Sequence, residues 1–71
     1  MVLQNRVKEL RARFDLTQEM LAVKVCVTRQ TIAAIEKGSY TPSLLLGIKI
    51  CDVFQVNVEE VFWISEGEGE R

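Results

Sequence analysis

The amino-acid sequence predicts an all-α domain, a compact bundle of five short helices. Apolar residues recur at three- and four-residue spacing, and Ser, Thr or Asn residues that can cap a helix precede several of these stretches. We find no convincing alternation of apolar and polar residues, the pattern typical of a half-buried strand. The chain has 71 residues, enough for one small domain. Residues 1–65 are expected to form this domain, and the charged segment 66–71 is expected to be a disordered acidic tail.

The first three helices are predicted from caps and apolar stripes. The first is expected over residues 3–13. Its apolar stripe consists of Leu3, Val7, Leu10 and Phe14. It should end near Asp15, a residue type that tolerates a left-handed turn. The second helix begins at a Thr17 cap and runs to about residue 24, and the third begins at a Thr28 cap and stops at Gly38. Each has an apolar pair at the spacing of a hydrophobic staple, namely Leu16 with Leu21 and Val27 with Ile32.

The fourth and fifth helices follow the same logic. Thr41 is expected to cap the fourth helix, with Pro42 at its first position, where the missing N–H costs nothing. Its inward stripe is expected to comprise Leu45, Ile48, Cys51 or Asp52, and Phe54, with Ile50 and Val53 beside them. The fifth helix opens at Asn57, has Glu60 at the capping-box position, and is expected to continue to Ile64. Val56 and Val61 form its staple pair.

Composition and charge exclude several classes of function. The formal net charge is −1, there is no His, and the two cysteines, Cys26 and Cys51, are too few for a disulfide framework. No apolar run reaches the roughly 18 residues of a membrane span, and the N-terminus lacks the pattern of a signal peptide. A cytoplasmic protein without metal, cofactor or small-molecule ligand is expected. Catalysis is not expected, because no nucleophile–base pair or phosphate-binding loop is present.

The charge is distributed unevenly along the chain. Residues 1–40 have seven basic and four acidic residues, whereas residues 41–71 have two basic and six acidic residues.

The segment from the second to the third helix indicates a nucleic-acid partner. The connection "VCV" is short, which suits a sharp helix-turn-helix corner whose second helix projects its N-terminal end outward. Arg29 can donate two hydrogen bonds to a guanine, and Gln30 can pair with an adenine. The small Ala33 and Ala34, one turn later, would allow close approach to the floor of the major groove. Taken alone, the same pattern would also suit an exposed helix start that is merely solvated.

The stretches "LTQEMLA", "VTRQTIAAIEKG", "TPSLL" and "VEEVF", in this order and spacing, resemble the helix-turn-helix domain of the Cro/C1-type (XRE) family of phage-repressor-like regulators. The resemblance covers residues 5–62. It implies sequence-specific binding of double-stranded DNA by a small prokaryotic or phage-type transcriptional regulator, expected to be a repressor, with helix 28–37 in the major groove. The residues that it implies as DNA contacts are Gln18, Thr28, Arg29, Gln30, Ala33, Ala34, Lys37, Ser39 and Tyr40. It also implies an internal salt bridge between Arg11 and Glu36.

Three positions depart from the family pattern. Cys26 replaces a glycine in the turn of the motif, where positive φ is often needed, so a Cβ would cost roughly 1 kcal/mol. Asp15 replaces a common glycine at the end of the first helix. Gly47 lies inside the fourth helix in place of alanine, at a cost of up to about 1 kcal/mol unless it permits close packing.

Two further expectations concern partners. An antitoxin-like or protein-interaction module with the same fold is the alternative function, although residues 28–40 contain only one acid, Glu36. A homodimer is expected because one recognition helix contacts few base pairs. Trp63 and Ile64 are the expected interface, since one helix cannot turn all of "VFWI" inward and the family resemblance implies that Val61 and Phe62 fill the core. The alternative is that Trp63 folds back over the fourth helix.

Overall fold

The computed structural model describes residues 1–66 of the chain, as five helices and a two-stranded sheet. In chain order the elements are β1 Val2–Asn5, α1 Val7–Arg13, α2 Gln18–Val25, α3 Arg29–Lys37, α4 Leu44–Phe54, α5 Val58–Val61 and β2 Phe62–Ser65. The expected tail at 66–71 lies outside the described residues except for Glu66. None of the helices in residues 1–66 is long and apolar enough to cross a membrane.

All five helices contribute apolar side chains to one core. Its fully buried members are Val7, Leu21, Val25, Ile32, Ile35, Ile50, Phe54 and Val61. The expected staple residues Leu16, Val27 and Val56 are half-buried against this core. Phe14, expected on the inward stripe, is 46% exposed, although its ring packs edge-on against that of Phe54 with centroids 5.2 Å apart. The core therefore confirms Val7 and Leu10 of the predicted α1 stripe and the inward positions of Leu21 and Ile32, whereas Leu3 lies on β1 and Phe14 is half-exposed.

The two-stranded sheet corrects the all-α prediction. β1 and β2 are antiparallel, with Leu3 opposite Ile64 and Asn5 opposite Phe62. The first helix therefore begins at Val7 rather than residue 3, and the fifth ends at Val61 rather than Ile64. Strand formation is favoured because β-branched and aromatic residues dominate 61–64, and because the distant N-terminal segment supplies the hydrogen-bonding partners that a frayed helix end would lack.

Helix α4 differs from the prediction in its start and in its buried face. Ser43, not Thr41, is the cap, since its Oγ accepts the Leu46 N–H at 3.1 Å. The side chains of Leu45 and Ile48 are 63% and 48% exposed, whereas Leu46, Ile50, Cys51 and Phe54 are buried. The cause is that α4 is apolar around most of its circumference, so periodicity does not select the inward face.

Within residues 1–66, three non-glycine residues, Asp15, Cys26 and Gln55, have positive φ values of 58°, 62° and 55°. The first two confirm the turns expected after α1 and α2. Gln55 ends α4 in the same left-handed conformation, and its Nε2 donates to the Asp52 carbonyl at 2.7 Å, a local bond that supports the turn. Gly38 ends α3 with φ 88°, as expected.

Candidate nucleic-acid interface

Helices α2 and α3 are joined by a turn that the local sequence determines. Cys26 closes α2 in a left-handed conformation, and the Val27 N–H donates to the Ala22 carbonyl at 3.0 Å. Thr28 then caps α3, because its Oγ1 accepts the Thr31 N–H at 3.3 Å. Thr17 caps α2 in the same way, through Met20 N–H at 3.0 Å. These caps orient α3 so that Ile32 and Ile35 are buried and the opposite side is open.

The open side of α3 brings together five of the predicted contact residues. At about 100° per residue they fall within an arc of roughly 140° on the helix. They are Arg29, Gln30, Ala33, Ala34 and Lys37, of which the two alanines are half-buried and the other three exposed. Among residues 1–66, no side-chain hydrogen bond or ion pair of the protein engages Gln30 or Lys37. This surface has two cations, an amide and no acid.

Glu36 points away from that surface, into a hydrogen-bonded network among three helices. Its carboxylate accepts Arg11 Nε at 2.7 Å and Nη2 at 3.2 Å, and the two side chains are only 15% and 6% exposed for Arg11 and Glu36. The expected salt bridge is thereby confirmed. The Glu36 hydrogen bond raises the pKa of Arg11 further above its ordinary value. Arg11 also donates from Nη1 to the Leu16 carbonyl at 2.9 Å, so it is not available for a partner.

The network extends to the front of α3 through Gln18, the first residue of α2. Gln18 Nε2 donates to Glu36 Oε1 at 3.1 Å, and its Oε1 lies 3.5 Å from Arg29 Nη1. Gln18 is half-buried, in contact with a predicted base-contacting residue, and close to the exposed side of α3. Arg11, through Glu36 and Gln18, thus connects the core side of the motif to Arg29.

The loop after α3 lies at the other end of the same helix. Gly38 takes the left-handed conformation, and Ser39 N–H and Oγ both approach the Ala34 carbonyl, at 3.0 and 3.4 Å. Tyr40 is 48% exposed, and Ser39 is exposed beside it. The structure therefore brings the nine predicted contact residues onto the N-terminal end of α2, the open side of α3 and the loop that follows it.

Asn5 is a positioning residue that the sequence pattern did not predict. Its Nδ2 donates to the Ile35 carbonyl near the end of α3 at 2.9 Å, and its Oδ1 accepts the Val7 N–H at 3.0 Å. The side chain therefore links β1 and α1 to α3. An Asn just before an apolar-periodic stretch is a helix-start signal, and this signal could have identified it.

Trp63 and Ile64 lie on β2 and not on a helix. The Arg6 guanidinium carbon lies 4.7 Å from the centre of a Trp63 ring, a cation–π contact, and Trp63 borders a cleft beside Lys8 and Glu9 of α1. Trp63 thus has an intramolecular partner, and that partner belongs to the β1–α1 junction rather than to α4. Trp63 and Ile64 are 38% and 63% exposed.

Comparison with known sequences agrees with this geometry. The family model described as helix-turn-helix matches residues 7–61. The chain is 61% identical over 64 residues to YgzD of Bacillus subtilis, an HTH-type transcriptional regulator, and covers 97% of that protein and 90% of itself. It is 50% identical over 66 residues to an HTH-type transcriptional regulator of Methanocaldococcus jannaschii, with 93% of this chain and 100% of the relative covered. A third such regulator, from Archaeoglobus fulgidus, is 48% identical over 66 residues, covering 93% of each chain.

Solved structures share the fold. The restriction-modification controller protein C.AhdI of Aeromonas hydrophila superposes with a TM-score of 0.71 at 28% identity, covering 76% of this chain and 82% of C.AhdI. A protein of Bacteroides fragilis superposes with a TM-score of 0.77 over 86% of this chain and 98% of its own, and its 23% identity supports a shared fold alone. On the match over residues 7–61 and these relatives, the chain belongs to the Cro/C1-type (XRE) helix-turn-helix family.

Proposed function

We propose that the protein is a transcriptional regulator that binds double-stranded DNA sequence-specifically, with α3 in the major groove. The observation that supports this best is the open side of α3, where cationic and amide side chains lie beside two alanines while the only acid of the segment is turned inward to Arg11. A major groove about 12 Å wide admits one such helix, and residues at its front reach base edges. Relatives that are at least 48% identical are named transcriptional regulators, which supports the same function.

The predicted contacts divide into two groups by their chemistry. Arg29 and Gln30, at the front of α3, would contact base edges, and Ala34 would contact a thymine methyl group. The remaining residues would contact the DNA backbone through hydroxyl, amide, ammonium or main-chain donors, or, in the case of Ala33, through close approach. They are Gln18, Thr28, Ala33, Lys37, Ser39 and Tyr40.

Selection of bound sequences from a random duplex library, at stated salt concentration, tests this function. A specific operator should emerge, and Arg29→Ala should then lose about 1–3 kcal/mol at one base pair and relax the preference there. Lys37→Ala is the matched control from the same helix face. It should weaken binding to all sequences alike and reduce the slope of affinity against salt by about one. Equal losses of specific and random-duplex affinity in Arg29→Ala would contradict base contact by Arg29.

We further propose that the regulator acts as a homodimer and as a repressor. A single α3 spans only a few base pairs, whereas two copies related by a two-fold axis contact two half-sites one helical turn apart. That Trp63 and Ile64 form the dimer interface stays a prediction from the sequence, and as neighbours on β2 their side chains point to opposite sides of the sheet. The alternative, a protein-interaction module that has lost DNA binding, predicts that the library selection yields no enriched sequence.

A further inference from the structure

A cleft between α1 and β2 contains two cations that the proposed DNA contacts do not use. Trp63 of β2 lines this cleft, together with Lys8 and Ala12 of α1 and with Arg6, which precedes α1. Within residues 1–66, no ion pair engages Arg6 or Lys8, and both side chains are exposed. We call the surface formed by Arg6, Lys8, Ala12 and Trp63 the α1 cleft.

The acidic residues of the cleft are already neutralised. Glu36 and Glu9 also line it. Glu36 accepts two hydrogen bonds from Arg11, and Glu9 forms an ion pair with Arg13 at 3.0 Å. The two cations without acidic partners therefore leave the cleft positively charged.

Trp63 determines where the Arg6 guanidinium lies. The guanidinium carbon is 4.7 Å from the centre of a Trp63 ring, within the range of a cation–π contact. Arg6 also borders Glu59 and Glu60 of α5, but in the described part of the chain neither carboxylate forms an ion pair with it. The guanidinium thus lies against an aromatic ring without a counter-charge, where it can bind an anion.

The α1 cleft borders the open side of α3. At about 100° per residue, Glu36 lies about 20° from Arg29 and about 60° from Ala33 around α3, at the edge of the open side. Lys8 precedes Arg11, the partner of Glu36, by three residues, so both side chains lie on the face of α1 that is turned toward α3.

We infer that the α1 cleft contacts phosphates of the DNA strand that runs beside α3, an inference that rests on the DNA binding of the proposed function and adds a surface to it. A phosphate backbone bounds the major groove on each side, so a helix inside the groove has phosphates at both flanks. Arg6 can donate two parallel N–H groups to one phosphate, and Lys8 can act as a point charge on another. Ala12, four residues after Lys8, is small and exposed, so it allows the backbone to approach.

Continuity with the proposed interface favours DNA over an acidic segment of another protein. Gln18, a proposed backbone contact, donates to Glu36 at 3.1 Å, and Glu36 also lines the α1 cleft. The two surfaces therefore meet along the same edge of α3, and one DNA strand can contact both. Ala12 and Trp63 are the apolar lining residues of the cleft, which is little beside the apolar centre of a typical protein–protein interface.

The dependence of DNA affinity on salt tests the inference. Lys8→Gln and Arg6→Gln should each reduce the slope of log affinity against log salt by about 0.9 and weaken binding about fivefold at about 0.15 M salt, because each removes one phosphate contact. The loss should be the same on a random-sequence duplex as on the selected operator, since phosphates carry no sequence information. Lys8→Arg retains the charge and should keep the wild-type slope.

Lys24→Gln is the matched control, because it removes the same charge from another surface. Lys24 is exposed near the end of α2 and lines a separate cleft with Phe14 and Val53. It lies about 120° from Gln18 around α2, so it faces away from the proposed DNA contact. The slope of this variant should equal that of the wild type. Circular dichroism establishes that each variant is folded.

Trp63 provides two further measurements. It is the single tryptophan of the chain, so its fluorescence reports on the α1 cleft. On a random-sequence duplex of about 10 base pairs, which has room for one half-site, Trp63 should become protected from quenching by the neutral molecule acrylamide. Trp63→Leu removes the aromatic face under Arg6. In that background Arg6→Gln should cost less affinity than in the wild type, whereas Lys8→Gln should cost the same.

The outcomes separate the α1 cleft from the DNA-binding function. Unchanged slopes in both Lys8→Gln and Arg6→Gln, with a wild type that binds an operator, overturn the cleft contact alone and favour an acidic protein partner for this surface. An equal reduction in Lys24→Gln, or a Trp63 that stays fully quenchable in the complex, also overturns the contact. A wild type that binds no duplex overturns both proposals. Reduced slopes in the two cleft variants but not in Lys24→Gln, together with protection of Trp63, support the contact.

Discussion

Replacing Glu36 by alanine removes the acceptor that connects α1, α2 and α3. The carboxylate accepts two hydrogen bonds from Arg11 and one from Gln18, at 2.7, 3.2 and 3.1 Å. In Glu36→Ala the Arg11 side chain keeps only the Leu16 carbonyl, at 2.9 Å, and stays charged because its pKa is far above neutral. The variant therefore leaves a cation that is 15% exposed without a counter-charge.

The magnitude follows from the exposure of the pair. Breaking a buried ion pair by removing one partner costs about 3–5 kcal/mol, whereas an exposed pair contributes at most about 1 kcal/mol. The side chains are 15% and 6% exposed, so the pair is close to the buried case, and partial access of Arg11 to water favours the lower end of the range. We expect a loss of about 3 kcal/mol, which for a domain of this size lowers Tm by roughly 12–24 °C.

Thermal unfolding followed by circular dichroism measures this loss, and the chain supplies a matched control. Glu9 forms an ion pair with Arg13 at 3.0 Å, but the two side chains are 56% and 64% exposed. Glu9→Ala should cost no more than about 0.5 kcal/mol. Lys37→Ala, an exposed cation next to Glu36, should leave Tm nearly unchanged. Equal melting temperatures for Glu36→Ala and these two controls would refute the shielded-pair reasoning.

Three further predictions concern the turn residue Cys26, the helix residue Gly47 and the reactivity of the two thiols. Cys26→Gly should raise the free energy of unfolding by up to about 1 kcal/mol, because the left-handed conformation costs an L-residue about 1–2 kcal/mol. The greater freedom of glycine in the unfolded chain offsets only part of that gain. A lower Tm in the variant would contradict this prediction. Gly47→Ala should stabilise α4 by up to about 1 kcal/mol, since a Cβ there would meet Phe62 Cε2 only at an ordinary 3.8 Å, and destabilisation would show that the site does not tolerate a methyl group. In the native state a thiol-specific disulfide reagent should modify exposed Cys26 rapidly and Cys51 slowly, because Cys51 is 4% exposed and burial raises the pKa of its thiol. Two equally fast thiols would be the contrary result.

Interactions between neighbouring residues were sufficient to predict the helix-turn-helix part of the fold from the sequence. The caps at Thr17 and Thr28 and the stop at Gly38 act through hydrogen bonds or backbone conformations within a few residues, so the sequence alone predicts where α2 and α3 begin and α3 ends. The polar front of α3, with Arg29 and Gln30, was visible for the same reason. The Arg11–Glu36 pair joins residues 25 apart and was predicted only through the family resemblance.

Tertiary structure alone decided two features. The sheet pairs residues about sixty positions apart, and neither Val2–Asn5 nor Phe62–Ser65 has a clear alternating pattern, so no local signal distinguishes these strands from frayed helix ends. The orientation of α4 was equally hidden, because Leu44, Leu45, Leu46, Ile48 and Ile50 make the helix apolar on most sides and its periodicity ambiguous. In the folded chain, where α4 contacts α2 and α5, Leu46 and Ile50 are buried and Leu45 and Ile48 are exposed. The sequence determined which segments are helical and that α3 begins with polar side chains, because these features depend on neighbouring residues. Which apolar face of α4 stays exposed depends on contacts between distant segments, so only the tertiary structure decided it.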